Sequence, residues 1–282
     1  MVDDHFRIRS MAASEITLAA DWAAAEGWNP GLDDAMCFAT VDPIGFFVGE
    51  LGGAAAAMIS VVNYDDRFAF LGFYIVRPDL RGRGYGLRIW RAAIAHADAR
   101  TIGLDGVVAQ QDNYRKSGFS LAHRNIRFGG IPSQVETPPR DAVPIEDVPF
   151  SAIEADDATV FPAPRPAFLR AWIAAPSHCG RALVRDDRLA AWGVIRRCRR
   201  GYKIGPLVAD SRPDAEAVFA ALAKCAGGEE LFIDVPQLNP YAVALAKAHG
   251  LQPVFETARM YTGPIRSVAL QRVFGVTSFE LG

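Results

Sequence analysis

The densest chemistry in this 282-residue chain lies in residues 70–97, FLGFYIVRPDLRGRGYGLRIWRAAIAHA. An apolar, strand-like run stops at Val76-Arg77-Pro78. The basic loop Arg81-Gly82-Arg83-Gly84-Tyr85-Gly86 follows, and an amphipathic helix pattern covers residues 85–100. Strand, glycine loop and helix in that order make an anion trap. Backbone N–H groups of the loop and of the first helical turn converge on one spot, where the helix dipole adds partial positive charge. The glycines let the backbone approach a ligand that any Cβ would hold off. Arg81 and Arg83 bring forked donors that match phosphate oxygens.

Three kinds of phosphate site use such a loop. A Walker loop needs Gly-Lys-Ser/Thr at the helix start, and this one has none. A dinucleotide fingerprint needs GxGxxG after the first strand of a βαβ unit, with an acidic residue closing the second strand. Here the spacing is Gly82-x-Gly84-x-Gly86, behind strands that read as hairpin-joined. The third kind fits. Val76-x-Pro78-x-x-Arg81-Gly82-x-Gly84-x-Gly86 resembles the acetyl-CoA signature of the GNAT superfamily of N-acetyltransferases. A second motif agrees with it. Gln111-Asp112-Asn113-Tyr114-Arg115-Lys116-Ser117-Gly118-Phe119 is similar to the short helix and Gly-Phe step of those domains, with Tyr114 at their tyrosine position. The resemblance covers residues 5–130. Phe161-Pro162-Ala163-Pro164-Arg165, Ile204-Gly205-Pro206-Leu207 and Arg259-Met260-Tyr261 resemble a two-domain bacterial subgroup whose second GNAT-like domain is degenerate.

The resemblance implies acetyl transfer from acetyl-CoA, as cosubstrate, to a small-molecule primary amine through a tetrahedral intermediate. Arg81, Gly82, Arg83, Gly84, Tyr85, Gly86 and Leu87 would hold the diphosphate, and the strand end at Tyr74 and Val76 would pair with the pantetheine amides. Tyr114 is the candidate general acid, since a phenol with a pKa of about 10 keeps its proton at neutral pH. A ring that only packs beneath the cofactor is the other reading of Tyr114. Trp28, near the end of the first helix, either lines the acceptor cleft or packs in the core. No residue reads as a dedicated base. Glu50, Asp65, Asp66 and Asp234 are solvated or capping carboxylates on one reading and candidates for the base on the other; Asp234 is also carried, with Trp28, as a candidate substrate residue. Two other functions stay open: an acyltransferase using a different acyl-CoA, and a non-catalytic CoA-binding module.

The elements that must position these residues follow from periodicity and turn signals. In the first half, strands are expected at 5–10, 44–51, 54–63, 68–76, 106–110 and 119–128, with helices at 13–26, 85–100 and 112–117. In the second, a hairpin at 181–185 and 189–197 turns at Asp186-Asp187, and strands follow at 202–208, 230–235 and 254–261. Helices run from Ser211-Arg212-Pro213 to Cys225 and from Asn239-Pro240 to Gly250, with capping residues at both starts. Pro132, Pro138, Pro139, Pro144 and Pro149 mark a linker. The expected division is a catalytic domain at 1–132, a linker at 133–145 and a second GNAT-like domain at 146–282, forming a wall of the substrate site.

The halves also match in detail. Arg127 lies nine positions beyond Gly118, and Arg259 nine beyond Gly250. Duplication explains that spacing together with the shared element order. The second half has Ala209-Asp210-Ser211-Arg212-Pro213-Asp214 in place of the glycine loop, so one phosphate trap is expected. The fold class is α/β (α+β), two tandem folds, each a mixed, largely antiparallel sheet flanked by helices.

Composition excludes other classes. Hydrophobic residues make up 50% and charged residues 22%, which argues against disorder, and a net charge of −2 steers the molecule neither to nucleic acid nor to an anionic membrane. The N-terminal MVDDHFRIRSMAAS has no apolar stretch of a secretory signal, and no run is long enough to span a bilayer. The 4 cysteines show no metal-ligand spacing and read as reduced thiols of a cytoplasmic protein. The 5 histidines form no ligand-spaced pair, so no metal is expected. The oligomeric state is not encoded.

Overall fold

The computed structural model describes residues 5–133 and 142–282. The first half contributes strands β1 (Phe6–Ser10), β2 (Phe46–Leu51), β3 (Ala54–Asn63), β4 (Phe68–Val76), β5 (Thr101–Val107) and β6 (Ser120–Gly130). Its helices are α1 (Ile16–Ala25), α2 (Asp34–Phe38), α3 (Tyr85–Ala97) and α4 (Gln111–Lys116). The second half contributes β7 (Ala142–Pro144), β8 (His178–Arg185), β9 (Arg188–Arg197), β10 (Tyr202–Ala209), β11 (Leu231–Pro236), β12 (Gln252–Tyr261) and β13 (Val273–Gly275). Its helices are α5 (Phe150–Val160), α6 (Pro166–Ala174), α7 (Arg212–Cys225) and α8 (Pro240–Ala248). The fold is mixed α/β with a largely antiparallel sheet flanked by helices, as expected.

All the strands join one 13-stranded sheet, ordered β1-β2-β3-β4-β5-β12-β6-β11-β10-β9-β8-β7, with β13 beside β10. The centre of that order is an exchange. β12, the last long strand of the second half, pairs with β5; β6, the last strand of the first, pairs with β11. The exchange puts the two repeat arginines directly opposite aspartates of the other half. Arg127 faces Asp234 in the β6–β11 register, with forked hydrogen bonds of 2.6 and 2.8 Å. Arg259 faces Asp105 in the β12–β5 register, with bonds of 2.9 and 2.5 Å. All four side chains are buried. The spacing read as a trace of duplication is therefore also an interface: each half supplies the arginine that neutralises the other's aspartate.

The halves share a core as well as a sheet. Phe38 of α2 stacks on Trp172 of α6 at 6.0 Å, and Phe73, Phe168, Trp192 and Val208 belong to the same apolar cluster. The tail, residues 273–282, is buried throughout. It forms β13 and then crosses to the first half, where the Tyr64 hydroxyl donates to the Leu281 carbonyl at 2.8 Å.

Several expectations are revised. The fifth strand is Thr101–Val107, with a single 3-10 turn at Val108–Gln110 where the strand was placed. Pairing with β4 draws Thr101 to Leu104 into the sheet before Gly106 is reached. The long helix stops at Ala97, because Asp98 takes φ 51°. Of the expected linker at 133–145, residues 134–141 lie outside the described residues, and Ala142–Pro144 is β7, paired with β8. The four cysteines are not all thiols. Cys179 of β8 and Cys225 of α7 form a disulfide across two packed elements, while Cys37 and Cys198 are free and buried. The sequence separation of 46 gave no local sign of that pairing. Among the described residues, no helix is long and apolar enough to cross a membrane.

Removing one partner of a buried ion pair strands the other, at about 3–5 kcal/mol. Asp234→Ala is expected to destabilise the protein by about that amount, read as a lowered urea midpoint at unchanged slope. The acid side follows with a definite sign. Burial pushes the Asp234 pKa up, but the Arg127 charge and its hydrogen bonds outweigh burial and leave the carboxyl below its ordinary value. The contribution is thus complete above the unfolded carboxyl's pKa of about 3.9 and is lost as pH falls through the folded value. In Asp234→Ala that part of the acid dependence of stability should disappear.

Candidate active site

A parallel pair of strands opens the site. β4 and β5 pair only from Phe68/Thr101 to Leu71/Leu104, although β4 runs on to Val76 and β5 to Val107. Beyond that point β5 stays with β12, and β4 stays with β3. A β-bulge lies at the parting. Between the pairs Ser60↔Gly72 and Met58↔Ile75 the register shifts, and Phe73 takes φ 50° while its ring is buried. A non-glycine residue there stores backbone strain, and such strain concentrates at functional sites. The β5-facing edge of β4 past Leu71 is left without a strand partner, so it can pair with an extended amide-bearing ligand.

A cavity of about 730 Å³ fills the wedge. The start of α3 forms one wall. Gly82 and Gly84 adopt φ 74° and 85°, conformations in which an L side chain is strained. Gly84 is the N-cap of α3, with no side-chain cap and no acidic residue in the first turn, so the first N–H groups of that helix lack side-chain acceptors. Gly86 packs on the Tyr74 hydroxyl, where a Cβ would collide. The Arg81 Nε donates to the Val76 carbonyl at 2.9 Å, and its guanidinium ion-pairs with Glu26. That pair is partly exposed and therefore weak, so an incoming phosphate can compete for the guanidinium.

Tyr114 of α4 lines the far side. Its ring stacks on Trp90 at 6.0 Å, and Trp90 in turn meets Tyr74 edge-on at 5.2 Å. Burial, with a smaller contribution from Tyr74, pushes the Tyr114 phenol up to about 12. It therefore holds its proton across the working pH range of most proteins. Gly106 of β5 lies under the ring, and a Cβ there would overlap it.

The structure brings Trp28, Tyr74, Val76, Arg81, Gly82, Gly84, Gly86, Leu87 and Tyr114 to one cavity. Three other candidates lie elsewhere. Arg83 is exposed and does not line it. Tyr85 turns its ring into the core against Phe6 at 4.8 Å, which leaves only its backbone for a ligand. Asp234 is sealed by Arg127 and has no face on the cavity, so its expected place at the substrate is corrected to a structural ion pair. Trp28 also anchors the interface, its carbonyl accepting from Arg127 Nη1 at 2.7 Å.

Four second-half residues complete the wall: Phe255, Thr257, Phe279 and Glu280. Glu280 was not singled out by sequence. It is buried, and its Oε2 has no hydrogen-bond partner. The backbone of Glu280 presses so closely on Gly72 that a Cβ at Gly72 would overlap its carbonyl.

The second half repeats the wedge but fills it. β10 and β11 pair in parallel only from Tyr202/Leu231 to Ile204/Ile233. β13 then pairs with β10 at Leu207 and Val208, and Val276 N–H donates to the Asp234 carbonyl of β11 at 2.8 Å. The helix that follows, α7, begins with Ser211 as a side-chain cap and Asp214 in its first turn.

A bulged, splayed sheet beside an uncapped glycine loop defines a CoA-dependent acyltransferase of tandem design, and the comparisons agree. The Acetyltransferase (GNAT) family model matches residues 13–119, and the Acetyltransferase (GNAT) domain model matches residues 153–275. A curated relative, holothin acyltransferase of Pseudoalteromonas sp., is 34% identical over 285 residues, covering 100% of this chain and 97% of its own. The chain belongs to the GNAT family and is an acyl-CoA-dependent acyltransferase. Solved structures share the whole architecture. A Pyrococcus horikoshii chain provisionally described as an acetyltransferase superposes with TM-score 0.84 at 22% identity, over 100% of this chain and 98% of that one. A tandem GNAT protein from the clavulanic acid biosynthesis pathway gives 0.66 at 14%, over 92% and 99%.

The contact at Gly106 gives a test of the geometry. Gly106→Ala should shift the Tyr114 ring and overpack the site, at about 1–3 kcal/mol of stability. Displacing a reacting group by about 1 Å costs on the order of 100-fold. Turnover should therefore fall by up to that factor with little change in CoA affinity, measured by thiol release and by titration calorimetry.

Proposed function

We propose that this protein transfers an acetyl group from acetyl-CoA to the amino group of a small molecule, in the cleft of its first half. The observation that carries this reading is the wedge: an unpaired β4 edge runs from the uncapped start of α3 to a buried, protonated phenol. The α3 N–H groups and Arg81 bind the diphosphate. The strand edge at Tyr74 to Val76 pairs with pantetheine and sets the thioester near the Phe73 bulge. A neutral amine adds its lone pair to the thioester carbon, and the carbonyl oxygen takes up negative charge. Collapse breaks the C–S bond. Tyr114 gives its proton to the departing sulfur, and the phenolate recovers one from the nitrogen, so the products are amide and free thiol.

One acyl-CoA per chain is the further part of the reading. In the second half β13 occupies the wedge, and Ser211 and Asp214 occupy the helix start. The second half then serves as a wall of the acceptor site rather than as a second catalyst. The compound named for the curated relative, holothin, is the first acceptor to assay, alongside a panel of primary amines. That relative's name specifies acyl rather than acetyl transfer, so longer acyl-CoAs belong beside acetyl-CoA.

Calorimetry should give one CoA site per chain. Amine-dependent thiol release should occur with acetyl-CoA, and Tyr114→Phe should lower kcat by about 100-fold or more at an unchanged KM for the donor. Tight CoA binding with no turnover on any amine would identify a binding module instead. A preference for a longer acyl-CoA would reassign the donor.

A further inference from the structure

Lys203 of β10 is a buried cation with no part in the transfer chemistry. It is 1% exposed, and burial, then the neighbouring Arg127 charge, pushes its pKa below the ordinary lysine value. A buried charge is costly, and a methionine of similar reach would fill the place without that cost. The Lys203 Nζ donates to two backbone carbonyls of the first half, Asn29 at 2.8 Å and Trp28 at 3.5 Å. Arg127 Nη1 reaches the same Trp28 carbonyl. The segment they hold, residues 28–32, leaves α1 and meets the second half. Asn29 takes φ 52°, which asparagine tolerates better than most residues. Its side chain pairs with the Arg200 backbone in both directions: Nδ2 donates to the carbonyl at 2.9 Å, and Oδ1 accepts from the N–H at 3.0 Å. Gly31 bridges to Cys198, and the Leu32 N–H donates to the Arg197 carbonyl at 3.0 Å. The segment is thus fastened to the β9–β10 hairpin. Within it, Trp28 lines the cavity. The Arg127 guanidinium that holds its carbonyl also lies over the rings of Phe279 at 4.9 Å and Phe255 at 5.8 Å, two further cavity residues.

We propose that Lys203 and Asn29 are positioning residues for the acceptor: they fix the Trp28 segment, and through it the place of the Trp28 ring in the cavity wall. The inference rests on the acyl-transfer reading, on which Phe255 and Phe279 face the acceptor. Carbonyls held at two successive residues leave the Trp28–Asn29 peptide one orientation, so the ring is aimed by its own main chain. An ammonium suits that task, because its three donors serve acceptors lying in different directions. No proton or bond changes hands at Lys203, and its effect is on acceptor affinity. The donor is held by α3 and the β4 edge, to which Lys203 makes no hydrogen bond. CoA affinity is therefore independent of it. Acceptor selection is shared across the seam: the first half supplies the Trp28 ring, and the second half holds it.

The experiment uses the full chain, with the panel of primary amines, tryptamine and phenethylamine among them, as acceptors. Lys203→Met should raise the acceptor KM by about tenfold or more, with kcat within about threefold and CoA affinity unchanged by calorimetry, the pattern of lost ground-state binding. Trp28→Ala should raise the same KM alone, and adding Lys203→Met to it should change KM by less than about twofold, because the lysine acts through that ring. A second readout needs no turnover. Trp28 emission, taken as the difference between a protein and its Trp28→Ala form, should be quenched more readily by acrylamide in Lys203→Met. No thiol release from wild type with any amine therefore sinks the acyl-transfer reading, while quenching still tests how Trp28 is held. If Lys203→Met does not fold, Asn29→Gly decides. It keeps the φ angle and removes the Arg200 pairing, and should raise the acceptor KM by about threefold or more. An acceptor KM within about twofold of wild type in folded Lys203→Met, or in Asn29→Gly where it decides, overturns the proposal. So do multiplying effects in the double variant, or unchanged Trp28 quenching. CoA affinity that falls in step with acceptor affinity overturns it too, since the lysine would then only hold the fold together.

Discussion

The two crossed arginine–aspartate pairs are the constraint on which the rest of the structure depends. A GNAT cleft exists only if two neighbouring strands part, and parted strands expose backbone groups that would otherwise pair again. Here the parting is held open from outside. β4 is committed to β3, and β5 is committed to β12 from Gly103 to Val107. The Arg259–Asp105 pair lies inside that second register, at the depth of the cavity. Its counterpart, Arg127–Asp234, fixes β6 on β11 one exchange away. A one-residue slip in either register would send both charges to the wrong face and leave them buried without partners. The ion pairs therefore specify register, and register sets where β5 leaves β4.

The same duplication produced two wedges with different fates. In the first half the bulge at Phe73 and the uncapped α3 leave backbone donors and an unpaired strand edge facing the cavity. In the second half the register of β9 and β10 also shifts, between Ile204 and Leu207, but β13 lies in the opening. Buried backbone groups require partners, and a strand of the protein itself satisfies them as well as an extended ligand does. β13 then continues as the strap that brings Phe279 and Glu280 to the open wedge. Filling one site thereby builds part of the other.

Legibility in the sequence followed the range of the physics. The glycine loop was readable because positive φ and close backbone approach demand glycine locally, and Gly82, Gly84 and Gly86 announce both. The hairpin at Asp186-Asp187 was readable for the same reason, since both residues adopt positive φ. The Arg127 and Arg259 spacing was visible as repetition. Its purpose was not, because the partners lie 107 and 154 residues away and no local pattern encodes a strand register across such a gap. Asp234 was misplaced at the substrate for that reason. The Cys179–Cys225 pairing is equally long-range, at 46 residues, and Glu280 sits in a tail whose burial depends entirely on contacts made by both halves.

That division has a consequence for how such a protein changes its acceptor. On the proposed reading, the donor site lies almost wholly in first-half backbone: two glycines at positive φ, a bulge and a helix start. Backbone chemistry tolerates little substitution, since a Cβ at Gly72 or Gly86 would meet a neighbour immediately. The second half contributes Phe255, Thr257, Phe279 and Glu280 to the cavity wall, which on the proposed reading faces the acceptor. Side chains on a fixed backbone can be exchanged without disturbing the glycine loop or the Tyr114 phenol. On the proposed reading, the exchanged, double-length sheet sets the residues that would hold the donor apart from those that would meet the acceptor. The buried ion pairs hold the two halves in register.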